Sequence, residues 1–113
     1  MDYLKEASFA VTICDAHGNI LSMNDKSRAT FADAGDLIGH SLLDCHPEPA
    51  RSKLIGMLHN HNINAYTIEK NGQHKLIYQT PWFDNGNFGG YIELSIVLPE
   101  KMPHYVRKPK ESK

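Results

Sequence analysis

Apolar and polar positions alternate with a period of two from Phe9 to Cys14. Phe9, Val11 and Ile13 fall on one face of a strand and Ala10, Thr12 and Cys14 on the other. The β-branched Val11, Thr12 and Ile13 suit a pleated, half-buried surface. Asp15-Ala-His-Gly-Asn interrupts the pattern, and Gly18 can take the positive φ that closes a short hairpin loop. Ile20 to Met23 predicts a returning strand. Asn24 follows as a helix N-cap, its side-chain oxygen available to the first free backbone N–H groups. Asp25 to Ala32 reads as a helix burying Ala29 and Phe31. Asp33-Ala-Gly-Asp breaks it, and Leu37-Ile38-Gly39 makes a second apolar turn with a bend at Gly39.

The period then lengthens. Pro47 or Pro49 opens the main helix, where a missing N–H costs nothing, and Asp44 and Glu48 put negative charge near its positive end. Ala50, Leu54, Met57 and Leu58 form its apolar stripe, and Asn60-His-Asn ends it. Three strands follow. Ala65–Lys70 and His74–Phe83 flank Asn71-Gly72, a strong two-residue hairpin signal, and Asp84-Asn-Gly-Asn turns into Gly90–Leu98. Pro99 and Pro103 stop the sheet. At the start of the chain, Asp2 to Ala7 predicts a short amphipathic helix with Tyr3, Leu4 and Ala7 on one side.

The order ββ, helices, βββ predicts an α+β domain, an antiparallel sheet with helices on one face. Residues 1–7 form a leading cap, 8–99 the domain, and 100–113 a polar tail expected to be disordered. Over residues 8–99 the chain resembles the PAS domain family, the sensory box of signalling proteins. Asp15, Gly18, Ile20 and Asn24 resemble the family's Asp-x-x-Gly-x-Ile-x-x-x-Asn opening, and Phe31 its short second helix. Asp36-Leu-Ile-Gly looks like its Glu-Leu-Ile-Gly, and His46-Pro-Glu its lead into the long helix. Gly89-Gly-Tyr-Ile looks like the entry to its last strand. The resemblance implies a five-stranded sheet in spatial order 2-1-5-4-3, a pocket between sheet and helices, and a bacterial-type sensor or dimerisation role in signal transduction.

Composition narrows the function classes. With 113 residues the chain makes one domain, and a net charge of −1, the seven histidines uncounted, implies neither nucleic acid nor anionic membrane as partner. Two cysteines without a CxxC pair, and an N-terminus lacking an apolar leader, predict a cytoplasmic protein with free thiols. No apolar run approaches the ~20 residues of a membrane helix.

Enzymatic motifs are missing: there is no phosphate loop, nucleophile elbow or HExxH, and adjacent Cys45 and His46 make a poor nucleophile–base pair. The expectation is a protein without catalytic residues. Flavin photochemistry is unexpected, because His40-Ser-Leu-Leu-Asp-Cys replaces the Asn-Cys-Arg-Phe-Leu-Gln of flavin-binding relatives. Haem is the weaker alternative. His46, His59 and His61 lie on or near the main helix, and His61 would continue its apolar stripe if the helix reached so far, making it the axial candidate. The histidines equally read as a polar helix end. No metal-ligand spacing is present.

The candidate pocket takes Phe31, Leu54, Met57, Leu58 and Tyr66 from helices and the third strand. Ile68, Tyr78, Ile92 and Leu94 complete it from the sheet. Each of these residues equally reads as plain core. The late strands carry large apolar groups on both faces, so the set left over would be exposed. Ile77, Phe83, Tyr91 and Val97, with Tyr3 and Leu4, are therefore the candidate interface of a homodimer. The sequence thus reads as a non-enzymatic small-molecule sensor without cofactor, signalling to an unidentified effector or kinase-type protein in trans. A ligand-free dimerisation domain is the alternative, and a haem-based gas or redox sensor the rarer third.

Overall fold

In a computed structural model describing residues 1–31 and 35–110, and of Cys45 the backbone only, the first hairpin closes on Asp15. β1 (Ala10–Asp15) and β2 (Ile20–Met23) pair antiparallel. The Asp15 carboxylate accepts from the backbone N–H groups of His17 and Asn19, each at 2.9 Å. Burial pushes its pKa up, but these bonds outweigh that and hold the carboxyl below its ordinary value. Gly18 sits in the turn at φ +86°, buried, where a Cβ would reach to 3.5 Å from Leu58.

Asn24 ties this hairpin to the segments on either side. Its side-chain oxygen accepts from Val11 N at 2.9 Å and from Ser27 N at 3.1 Å. Its amide donates to the carbonyls of Leu4 at 2.9 Å and Phe9 at 2.8 Å. One residue thus caps α1 (Asp25–Thr30) and binds the leading segment and β1. The cap turns Ser27 inward, where its hydroxyl meets that of Thr12, so Ser27 is the buried residue of α1 and Ala29 is exposed. The expected helix end at Ala32 and the break through Ala34 lie outside the described residues.

The expected leading helix is absent. Residues 2–7 form turns, with Lys5 N bonded to Asp2 O and Ala7 N to Leu4 O, because the Asp2 side chain takes the Leu4 N–H at 3.0 Å. Tyr3 and Leu4 are exposed. After α1, the segment around Gly39 runs beside β2, with Ile20 N donating to His40 O at 2.8 Å. It leads into α2 (Leu42–Cys45), a helix the sequence pattern did not announce, capped by Ser41 on Leu43 N.

α3 (Ala50–Asn60) begins after Pro49, and Glu48 accepts from Ser52 N at 2.8 Å in its first turn. Leu54 and Met57 are buried, Leu58 is half-buried and Ala50 is exposed. The helix stops at Asn60 because His61 turns to φ 57°, donating its N–H to Met57 O at 2.8 Å.

β3 (Asn64–Lys70), β4 (Gln73–Asp84) and β5 (Asn87–Val97) complete one antiparallel sheet in the order β2-β1-β5-β4-β3. This is the expected α+β architecture. Trp82 donates its indole N–H to Cys14 O at 2.9 Å, and its ring lies on Gly89, where any Cβ would stand 2.1 Å from it. Residues 102–110 have no regular secondary structure and are exposed.

Replacing Asn24 by Ala leaves two donors and two acceptors without their partner in a site 5% exposed. Asn24→Ala should cost about 2–4 kcal/mol in urea denaturation, and Asn24→Asp, which keeps only the acceptors, should fall between it and the parent. Parental stability in Asn24→Ala would remove Asn24 from its central place.

Candidate functional site

One rung of the sheet crosses the helix-covered face as a line of polar groups. In register, Asn64 stands opposite Gln79, Gln79 opposite Glu93, and Glu93 opposite Thr12. Asn64 Nδ2 donates to Gln79 Oε1 at 2.8 Å, and Gln79 Nε2 donates to Glu93 Oε1 at 2.8 Å. A carboxylate only accepts, so Glu93 fixes the Gln79 amide, which in turn orients Asn64. Thr12 continues the line to Ser27.

Above this rung lie cavities between sheet and helices. The larger, about 440 Å³, opens between α3 and β3, with Leu54, Met57, Tyr66 and Gln79 on its walls. A second, about 190 Å³, runs toward the β3–β4 hairpin over Ile68, Ile77, Glu93 and Ser95, with Phe31 on its helix side. A space of about 20 Å³ beside Cys14 and Tyr91, room for a single water, lies between them. His46 lines all three. Its Nδ1 stands 2.7 Å from Leu42 O, and a carbonyl only accepts, so in the neutral ring Nδ1 carries the proton and Nε2 is left as acceptor.

The Glu93 carboxylate acts on its neighbours on the floor. Burial first, then the charge of Glu93, raises the Tyr66 phenol. The Cys14 thiol is raised chiefly by burial, with Asp15 and Glu93 adding to it against a hydrogen bond with the Tyr91 backbone. Tyr91 is raised by burial and then by Cys14, and its hydroxyl holds the end of α3, its one O–H shared between Met57 O and Asn62 O, 2.8 Å each.

Five of the nine expected pocket residues line these cavities: Phe31, Leu54, Met57, Tyr66 and Ile68. Leu58 packs instead on the Cys14–Met57–Tyr91 core. Tyr78, Ile92 and Leu94 correct the expectation, because they sit on the opposite face. Tyr78 pairs with Leu94 and Ile92 with Ile13, one register step away from the cavity residues Gln79 and Glu93. The exchange runs both ways. Ile77 and Tyr91, expected at a dimer interface, are 7% and 3% exposed on the helix side. Phe83, Val97, Tyr3 and Leu4 are exposed, but Val97 pairs with Lys75 and so belongs to the face of Ile77, not to the outer one.

His61 is also corrected. The left-handed turn takes it off the helix stripe, and its ring stacks on Phe88, centroids 3.6 Å apart, away from the cavities. From sequence His46 was a haem-ligand candidate and a motif residue, and Gln79, Glu93 and Thr12 were not candidates at all. The available signal was the alternation Gln79, Glu93, Ser95 against Tyr78, Leu94, Ile96, which reads as outside against inside unless the inner face needs polar groups.

Among the described residues no group of three or more His, Cys, Asp or Glu is placed to hold a metal ion, and no helix is long and apolar enough to cross a membrane.

No family model and no curated protein matches the chain. Solved structures do. The PAS domain of BvgS from Bordetella pertussis matches with a TM-score of 0.65 at 21% identity, over 87% of this chain and 82% of that one. The PAS domain of the histidine kinase ThkA matches at 0.63 and 17%, over 78% and 97%. The Aer2 receptor from Vibrio cholerae, a dual PAS-heme oxygen sensor, matches at 0.57 and 15%, over 81% and 96%.

Gln79→Leu strips Glu93 and Asn64 of their partner inside a half-buried cavity. It should lower stability by about 1–3 kcal/mol, read from the urea midpoint. An unchanged midpoint would mean that solvent satisfies the rung without Gln79.

Proposed function

We propose that this chain, a PAS domain by its fold, is a non-enzymatic sensor module that binds a small molecule between helices and sheet and signals through protein–protein contacts. The observation that carries this reading is the polar rung. Folded cores exclude charged groups unless something requires them, yet Glu93, Gln79 and Asn64 line the inner face of the sheet beside apolar Met57, Leu54 and Ile77. A concave, mostly apolar site with a few placed polar groups is what ligand recognition uses.

Its test is a thermal-shift and native mass-spectrometry screen against small metabolites, followed by Met57→Trp, which fills the larger cavity. Hits in the larger cavity should lose at least about tenfold in affinity in Met57→Trp. A hit that keeps its affinity there binds elsewhere.

Haem is the second reading, since the Aer2 match is a haem sensor and His46 offers an oriented imidazole with Nε2 free. Against it, a charged carboxylate and two amides occupy the floor on which a porphyrin face would lie. The purified protein should therefore show no Soret band. A Soret band lost in His46→Ala would replace the small-molecule reading with a haem sensor.

The other face of the sheet suits signalling. Ile13, Leu76, Tyr78, Ile92, Leu94 and Ile96 are half-buried there, and none of the three helices covers them. A self-complementary apolar strip closes most simply as a two-fold dimer, and a kinase-type partner could use the same strip. Light scattering at tens of micromolar should report a dimer, and Leu76→Glu with Leu94→Glu should make it a monomer with unchanged circular dichroism. A monomeric parent would refute the dimer.

A further inference from the structure

The smaller cavity is charged at both ends. Lys75 on β4 and Lys70 on β3 line one end, and among the described residues neither has a carboxylate within ion-pair distance. Glu93 lines the other end. One of its oxygens accepts from Gln79, and the other has no hydrogen bond among the described residues. Lys75 pairs with Val97 and Gln79 with Glu93, so the two ends stand four residues apart along β5, about 13 Å between backbone positions at ~3.3 Å per residue. Lys70 lies beyond Lys75, opposite Gln73 at the hairpin.

Between the ends the wall is mostly apolar, with Ser95 on β5 and with Thr30 and His46 as its other polar members. Ile77, Ile68 and Ala10 come from three strands and Phe31 from the end of α1. The volume, about 190 Å³, is that of roughly six waters at ~30 Å³ each. An anion alone would bring its far end against Glu93 with nothing to offer that carboxylate. A cation alone would leave both ammonium groups unpaired, at most cost for the half-buried Lys75.

Resting on the reading of this cavity as a ligand site, we infer that its ligand is a small zwitterion. A carboxylate meets Lys70 and Lys75, an ammonium meets Glu93, and a short apolar body lies over Ile77 and Ile68. The Gln79 amide holds Glu93 in place for the ammonium, and the Thr12 and Ser27 hydroxyls stand beside that end.

The experiment titrates the full chain calorimetrically with three probes of matched length: 6-aminohexanoate, hexanoate and hexylamine. The zwitterion should bind at least about tenfold more tightly than either half-charged probe. Lys75→Gln should reduce its affinity to that of hexylamine while leaving hexylamine itself unchanged. Lys70→Gln, at an exposed position where folding is not at stake, should weaken the zwitterion in the same direction. Hexanoate or hexylamine binding as tightly as 6-aminohexanoate would overturn the inference, as would an affinity indifferent to both lysine variants. Failure of all three probes to bind also overturns it. The broader reading falls separately, only if metabolite hits ignore both Met57→Trp in the larger cavity and the lysine variants in the smaller one.

Discussion

Everything in the front half of this domain is hung on the side chain of Asn24. Four backbone groups from four places in the chain converge on one amide: Leu4, Phe9, Val11 and Ser27. An amide is the side chain that can do this, because it accepts twice through its oxygen and donates twice through its nitrogen. Ser or Asp would cap α1 equally well but could not hold the carbonyls of the leading segment. Since α1 carries Ser27 and leads to Phe31, the Asn24 knot also sets one wall of the smaller cavity. The helix wall of the larger cavity is set by α3, whose C-terminal turn is held by the Tyr91 hydroxyl. Two polar residues, one at each end of the helical layer, therefore fix the gap between helices and sheet, and apolar packing fills what remains.

The sheet divides its two faces in an unusual sense. The face under the helices holds Thr12, Gln79, Glu93 and Ser95, while the uncovered face holds Ile13, Leu76, Ile92, Leu94 and Ile96. A domain built only to be stable would bury the second set. Placing the more polar set inside costs burial of charged and amide groups, offset by the hydrogen-bonded rung that satisfies them. Leaving the more apolar set outside makes a surface that gains from being covered. Both departures follow if the inner face is for recognition and the outer for docking.

This division explains what sequence could and could not reveal. The fold was legible: alternation marked β1 and β5, Asn71-Gly72 marked the β3–β4 hairpin, and Asp15, Gly18 and Asn24 marked the opening motif. Half of the site was legible too, because Leu54 and Met57 follow helical spacing and have only one way to face. The sheet half was misassigned because hydrophobicity was the only guide to the inner face, and on this sheet it points outward. Tyr78, Ile92 and Leu94 were exchanged with Ile77 and Tyr91 for that single reason, since a strand's period of two makes any error of face complete. His61 failed differently. Its place hung on where α3 ends, and a left-handed residue at that point cannot be read from spacing.

The division of faces is most directly tested by methyl NMR on the full chain titrated with a library of small zwitterions, carboxylates and amines. Binders should shift the methyl signals of Leu54, Met57, Ile68 and Ile77, those bordering the cavities. The methyls of Ile13, Leu76, Leu94 and Ile96 should instead respond to protein dilution. Binders that map onto the outer set, leaving the inner set unmoved, would contradict that division of faces.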